Sequence, residues 1–396
     1  MPLLTSVDDA LALVLDRATP LDSERVAIEA ADGRTLAAAA AAEVDLPPFA
    51  SSSMDGYAIR SSDTPGQLTI VDRAAAGSPA ARAVGEGEAI GIATGAVVPD
   101  GADAVVPIEL VGVDGEMLTV PEAVSRTANI RDRGGDVVAG TPLALAGTTI
   151  SPRRLAALAA AGVAEVTCAR RPRVAIVTTG TELRSPGQTL LPGQIFESNG
   201  PMLAALFARA GADVSLQRAV VDDDEAHRVA LESALAADVV VTSGGVSVGP
   251  HDLVRRVAAG LGVEEVFWGV AMRPGKPLAF GVRDETLVFG LPGNPVSSLV
   301  GCLLFVLPAI LALQRHPDPA PPFRPGILAR EVRRRPERDD FVRARTTWSA
   351  ESAVLDPILG QESHMIARTA AADALVHVPR GAGSLAAGAR VRFLAF

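Results

Sequence analysis

The chain has 396 residues and is short of lysine, aromatic residues, cysteine and positive charge. Of its 36 basic residues, one is lysine, Lys276, which leaves 36 − 1 = 35 arginines. With generic basic positions filled by arginine, a lone lysine marks a place where a compact, mobile ammonium is wanted and a planar fork is not, unless it is a chance surface survivor. Aromatics make up 4% against 48% apolar residues overall, so the core is aliphatic and the chain is globular rather than disordered. A net charge of −10 argues against a nucleic-acid binder, which needs a basic face. Cys168 and Cys302 show no metal spacing and suggest a reducing compartment. The N-terminus lacks a basic n-region and a signal core, so a cytoplasmic location is expected.

What is present points first to Asp238–Asp252. Val239, Val240 and Val241 suit a buried strand, a Gly-rich loop spans Ser243 to Gly249, and a helix is expected over 251–261, with Pro250 fitting its first position. Strand, glycine turn and helix start make a phosphate cradle: backbone N–H groups point outward and the helix dipole adds positive potential. Gly244, Gly245 and Gly249 match neither the dinucleotide fingerprint nor a P-loop, so an ordinary tight turn stays open.

The length calls for two to four domains. Ser6 caps a first helix, with Asp9 three residues on. Short strands are predicted at 68–71, 89–93, 104–107 and 117–120, a small β-rich unit. Ser151-Pro152 opens a helix that Gly162 closes, and that helix is expected to rejoin the N-terminal one. Residues 172–314 alternate strands (173–177, 214–221, 239–242, 265–271, 277–282, 286–290) with helices (199–210, 224–236, 251–261, 295–313). That reads as a doubly wound α/β domain whose ligands sit where strand C-ends meet helix N-ends. Val296 to Leu313 is apolar enough for a membrane span but starts as a capped helix off a strand, so a buried helix is expected. A proline-rich linker, 316–325, leads to a small β domain. The expected division is 1–45 plus 141–171, 46–140, 172–315 and 326–396, without internal repeats.

Further motifs sit at turns or strand ends: Ser53-Met-Asp-Gly-Tyr57, Thr94-Gly95, Asn129–Asp136, Thr178–Leu183, Arg273-Pro-Gly-Lys-Pro277, Leu291-Pro-Gly-Asn-Pro-Val-Ser297, Phe341–Arg345 and Gly360–Met365. Asn294 is placed to cap the next helix, with Pro295 at its first position. In this order, the motifs resemble those of molybdopterin molybdenumtransferases, the bacterial MoeA-like proteins and the C-terminal domain of gephyrin, over essentially the whole chain.

The resemblance implies a homodimer of four-domain subunits with an active site where the α/β domain faces the C-terminal β domain of the partner subunit. The implied reaction takes adenylylated molybdopterin and molybdate to the metal-loaded cofactor and AMP, assisted by Mg²⁺, with a molybdopterin adenylyltransferase as partner supplying the substrate. No nucleic-acid or membrane partner is expected. An acidic protein must then hold two anions with a few local cations. Lys276, Pro277, Ser297, Arg343 and Ser363 correspond to the oxyanion set, and Arg273 adds charge. Gly244, Gly245 and Ser247 would take the phosphates, and Pro292, Asn294 and Pro295 complete the binding motif. Asp252 is the candidate metal ligand or water orienter, with Glu182 assisting and Asp222 a weaker candidate; each acid could instead stabilise a helix start. Asp55, Thr94 and Asp136 match positions the family associates with activity. The family often has lysine at Arg273 and an acid at Pro250, so the contact made by the first is open. No histidine has metal spacing; His251 and His364 are read as neighbours, not ligands. An adenylyltransferase, or a carrier or scaffold, are the competing readings. The extra β domains weigh against the first and the lack of an interaction segment ahead of residue 1 against the second.

Overall fold

The computed structural model describes residues 4–220, 223–245, 253–349 and 352–396. Ser6 accepts the Asp9 N–H at 3.1 Å and starts the helix Val7–Arg17, whose Val7, Ala10 and Val14 enter the core of the central domain. This differs from the expected partnership with the second helix, Pro152–Ala160, which packs on the N-terminal segment around Ile28 instead. The reason is the apolar stripe of the first helix, which finds its largest apolar surface on the stretch Cys302–Leu313. Ser151 precedes the second helix, yet its hydroxyl makes no cap.

The strands Ser23–Ala27 and Glu165–Ala169 pair antiparallel, as do Ala40–Ala41 and Pro142–Ala144. The chain therefore leaves and returns at one place. Between these pairs lies a six-stranded sheet in the order Ala104–Pro107, Gly56–Ile59, Glu88–Ile92, Gly66–Ala74, Met117–Val120, Gly112–Asp114.

The central sheet runs Asp213–Val220, Arg173–Thr179, Val239–Ser243, Thr286–Leu291, Ala279–Arg283, Glu264–Trp268. The first four strands are parallel, and the fifth, Ala279–Arg283, pairs antiparallel with both of its neighbours, so the sheet is mixed. Its three inner parallel strands, Arg173–Thr179, Val239–Ser243 and Thr286–Leu291, are buried on both faces, which is why they read as nearly unbroken aliphatic runs. The register sets Thr178 beside Ser243 and Ser243 beside Leu291, so three strand ends finish level. Strand order reverses here, where an open α/β sheet leaves a crevice.

Pro295–Leu313 has the length and composition of a membrane span, but it is a core helix, 78% covered by its own fold. A π-helical turn, Cys302–Val306, interrupts it just before Pro308, which has no N–H to continue the ladder. In the C-terminal domain Asp339–Trp348 pairs with both Ala353–Pro357 and Ala374–Val378, closing a five-stranded barrel. Met272–Arg273 pairs parallel with Asp339–Asp340 on its outside, fastening the barrel to the central domain.

Candidate functional site

A cavity of about 790 Å³ opens at the carboxyl ends of the parallel strands. The sequence candidates Glu182, Gly244, Gly245, Pro277, Pro292, Asn294 and Pro295 line it. Gly244 has φ +104°, and a Cβ there would meet the Thr179 carbonyl at 2.6 Å; Gly245 has φ +66°, and its Cβ would meet Val254 at 2.6 Å. Only glycine satisfies both the angle and the space. Gly244 departs from the expected cradle in one respect: its N–H donates to the Leu291 carbonyl at 3.1 Å and is not free for a phosphate.

Asn294 was expected to cap the helix at Pro295. Its side chain does not cap; Nδ2 donates to Ser363 Oγ at 2.9 Å instead. Pro295 at the first position already removes one orphan N–H, and a nearby hydroxyl offers the amide a partner. Ser363 also accepts the Val296 N–H through its carbonyl at 3.1 Å. The loop that brings His364 and Ile366 to the cavity comes from the C-terminal domain of this same chain.

Lys276 is half-buried, beside the cavity-lining Pro277, and Nζ has no ion pair or hydrogen bond among the described residues. Ser297 is buried at the start of the following helix, and a Cβ on Gly275 would stand 3.5 Å from its carbonyl oxygen. The Arg273–Pro277 turn and the Asn294–Ser297 helix start are therefore packed together.

Two expected cations are elsewhere. Arg343 is 1% exposed and its guanidinium is saturated: Nη1 donates to Met365 O (2.8 Å) and Thr369 Oγ1 (2.7 Å), and Nη2 to Gly360 O (2.8 Å) and Glu362 O (3.1 Å). It organises the loop that carries Ser363 and is not available as an anion ligand; burial pushes its pKa down. Arg273 lines a separate cleft of about 490 Å³ with Arg333, Arg335, Asp340 and Gln361. The parallel pairing with Asp339–Asp340 draws it there.

Asp55 accepts from the Thr94 N–H (2.7 Å) and hydroxyl (3.1 Å), which holds its carboxyl below the usual range. Two motifs 39 residues apart are thereby joined. Asp136 is exposed, with its N–H on the Leu46 carbonyl. None of these three lines the cavity of its own chain. Ser247, Asp222 and Asp252, and with them His251 and Pro250, lie outside the described residues.

Sequence reasoning missed Thr179, Glu197, Asn199 and Ser243 as a connected wall. Asn199 Nδ2 donates to Ser243 Oγ and to the Gly293 carbonyl, both at 2.8 Å, and Glu197 Oε1 accepts the Gly200 N–H at 2.7 Å. The signal available was Glu-Ser-Asn-Gly at a helix start, a pattern that reads equally well as capping.

Comparison with known proteins covers the chain in three parts. Residues 5–162 match the MoeA N-terminal region (domain I and II), 175–312 a probable molybdopterin binding domain, and 325–396 the MoeA C-terminal region (domain IV). The molybdopterin molybdenumtransferase of Staphylococcus aureus is 33% identical over 390 residues, 96% of this chain and 93% of that one. This chain belongs to the MoeA family of molybdopterin molybdenumtransferases. Molybdopterin molybdenumtransferase 2 of Mycobacterium tuberculosis is 36% identical over 384 residues, 93% of each chain. Among solved structures, a molybdopterin biosynthesis MoeA protein of Pyrococcus horikoshii superposes with a TM-score of 0.84 at 31% identity, covering 99% of both chains. The MoeA fold thus includes the closed barrel and the inserted sheet described above.

Proposed function

We propose that this chain inserts molybdenum into adenylylated molybdopterin, consuming molybdate and releasing AMP. The observation that carries this is the 790 Å³ cavity, which joins a glycine turn, a carboxylate without an ion pair among the described residues and a buried polar wall at the switch point of the central sheet. Its volume suits a ligand of nucleotide size. Lys276, without an ion pair among the described residues, supplies local positive potential for molybdate in a protein of net charge −10.

Mg²⁺ belongs to this proposal. Glu182 is exposed at the cavity and has no ion pair among the described residues, and one or two carboxylates plus phosphate oxygens are the usual protein share of a Mg²⁺ site. Glu182 would hold the ion, which when bound would neutralise charge on the phosphoanhydride. A homodimer is proposed on a separate ground. Asp55, Thr94 and Asp136 are absent from the cavity of their own chain, and a second copy is what would carry them to one. A cytoplasmic site of action suits the two buried free thiols, Cys168 and Cys302.

The test is AMP release from adenylylated molybdopterin with and without molybdate. The proposal expects molybdate to stimulate release. ATP consumption on bare molybdopterin, with no molybdate effect, would assign the chain to the adenylyltransferase reaction instead.

A further inference from the structure

Lys276, the cation proposed to hold molybdate, stands in the turn Arg273–Pro277, and that turn packs on the helix start at Asn294–Ser297. The helix start is in turn tied to Ser363 by the Asn294 amide at 2.9 Å and by the Val296 N–H at 3.1 Å. Three segments therefore meet at one corner, and Pro277, Asn294, Pro295 and His364 line the cavity there.

His364 combines a fixed backbone with a free ring. Arg343 donates to the carbonyls on either side of it, Glu362 at 3.1 Å and Met365 at 2.8 Å. The Ile366 N–H donates to the His364 carbonyl at 2.9 Å, and Ile366 packs on the central core. The His364 side chain is exposed and has no hydrogen bond or ion pair among the described residues. His377 shows what a histidine serving the fold looks like: it stacks on Phe341 with ring centroids 5.2 Å apart and lies beside Asp339.

The chemistry at this corner calls for such a ring. When molybdate enters an ene-dithiol, two Mo–S bonds form, two S–H bonds and one Mo–O bond break, and the oxygen leaves as water. Charge is conserved, since a neutral dithiol and a dianion give a dianion and water, and the metal keeps its oxidation state. Two protons must cross from sulfur to oxygen. A side chain that both takes and gives protons near neutrality eases that transfer, and imidazole is the usual one. Among the described residues lining the cavity, the ionisable side chains are Glu182, Glu197 and His364. Glu197 is 3% exposed and its Oε1 accepts the Gly200 N–H at 2.7 Å. Glu182 is the carboxylate proposed for Mg²⁺. His364 is left for the protons.

We propose that His364 is a catalytic proton carrier. The neutral ring takes a proton from a pterin sulfur, and the imidazolium hands it to the departing molybdate oxygen. Two such transfers make the water and return the ring to its neutral form. The proposal rests on the proposed function and adds the residue that moves the protons.

The test is molybdate-dependent AMP release from adenylylated molybdopterin by the full chain carrying His364→Ala, beside molybdate binding measured by equilibrium dialysis. Loss of one general acid–base group should lower kcat at least about a hundredfold. Molybdate binding and Tm should stay at wild-type values, because the exposed ring holds nothing in place. Free imidazole can reach an exposed position and should restore turnover, and substituted imidazoles should do so in the order of their basicity rather than their size. His364→Gln keeps a hydrogen-bonding side chain that carries no proton; it should be as slow as alanine and takes over the test should His364→Ala melt early. Turnover within about threefold of wild type in both variants overturns the inference. A loss that imidazole does not restore, or weakened molybdate binding, makes the ring a holder of the oxyanion and overturns it too. If the wild-type chain shows no molybdate-dependent release, the proposed function fails and takes this inference with it. Normal release by the wild type and by both variants removes this inference alone.

Discussion

Asn294 Nδ2 donates to Ser363 Oγ at 2.9 Å and so ties the central domain to the C-terminal barrel at the mouth of the cavity. The bond replaces the helix cap that Asn294 would otherwise make. It is doubled by the Val296 N–H on the Ser363 carbonyl. The loop bearing His364 and Ile366 is therefore held by a polar contact between two domains in addition to the buried Arg343 and the packing of Ile366 on the central core.

Ser363→Ala removes the side-chain bond and keeps the backbone one. The contact is partly exposed, so the stability loss should stay within about 1 kcal/mol. The looser loop should raise the KM for molybdate. Thermal melting beside molybdate titration checks this; a large fall in Tm would show the serine to be structural.

Arg343→Ala should behave in the opposite way. It strips four carbonyl and hydroxyl acceptors of their buried donor. A loss of at least about 3 kcal/mol in urea denaturation is expected. Arg343→Lys should recover little, because one ammonium does not span acceptors that a planar fork serves from both sides. An anion ligand would instead have left stability untouched and lowered activity.

Lys276→Ala should leave the denaturation midpoint within about 0.5 kcal/mol of wild type, as Nζ has no partner among the described residues to lose. Molybdate-dependent turnover should fall at least about tenfold, the scale of one charge-assisted contact. Lys276→Arg should restore part of it. Wild-type turnover in Lys276→Ala would remove the cation from the site.

Asp238 gives the pH dependence. Burial pushes its carboxyl up, but hydrogen bonds from Arg170 (2.9 and 3.0 Å) and from the Arg173 N–H (2.7 Å) outweigh burial and hold it at about 2. The folded value lies below the unfolded value of about 3.9, so the stabilisation is complete above about pH 4 and disappears as pH falls through 2. It amounts to about 2 kcal/mol for a side chain 11% exposed. Asp238→Asn should lower stability at pH 7 and flatten the acid limb between pH 4 and 2, measured by urea titration at each pH.

Much of the α/β unit was legible. Val239–Ser243 and Thr286–Leu291 are strands because β-branched and aliphatic runs between turn residues have few other uses. The glycine turn was legible too, since Gly244 and Gly245 adopt angles that other residues avoid. The first helix was found but misplaced: an apolar stripe says that a helix is buried and not against what.

The order of elements, the glycine turn, the lone lysine and the family resemblance were fixed by the amino-acid sequence alone, because periodicity, backbone angle and residue type are local properties. The barrel closure, the saturation of Arg343, the withdrawal of Arg273 into another cleft and the buried polar wall of Glu197 and Asn199 were decided by the tertiary structure. Each depends on which acceptors the fold brings within hydrogen-bond reach from distant parts of the chain. An arginine in a strand reads the same whether its neighbours are carbonyls or a ligand, and only packing settles which.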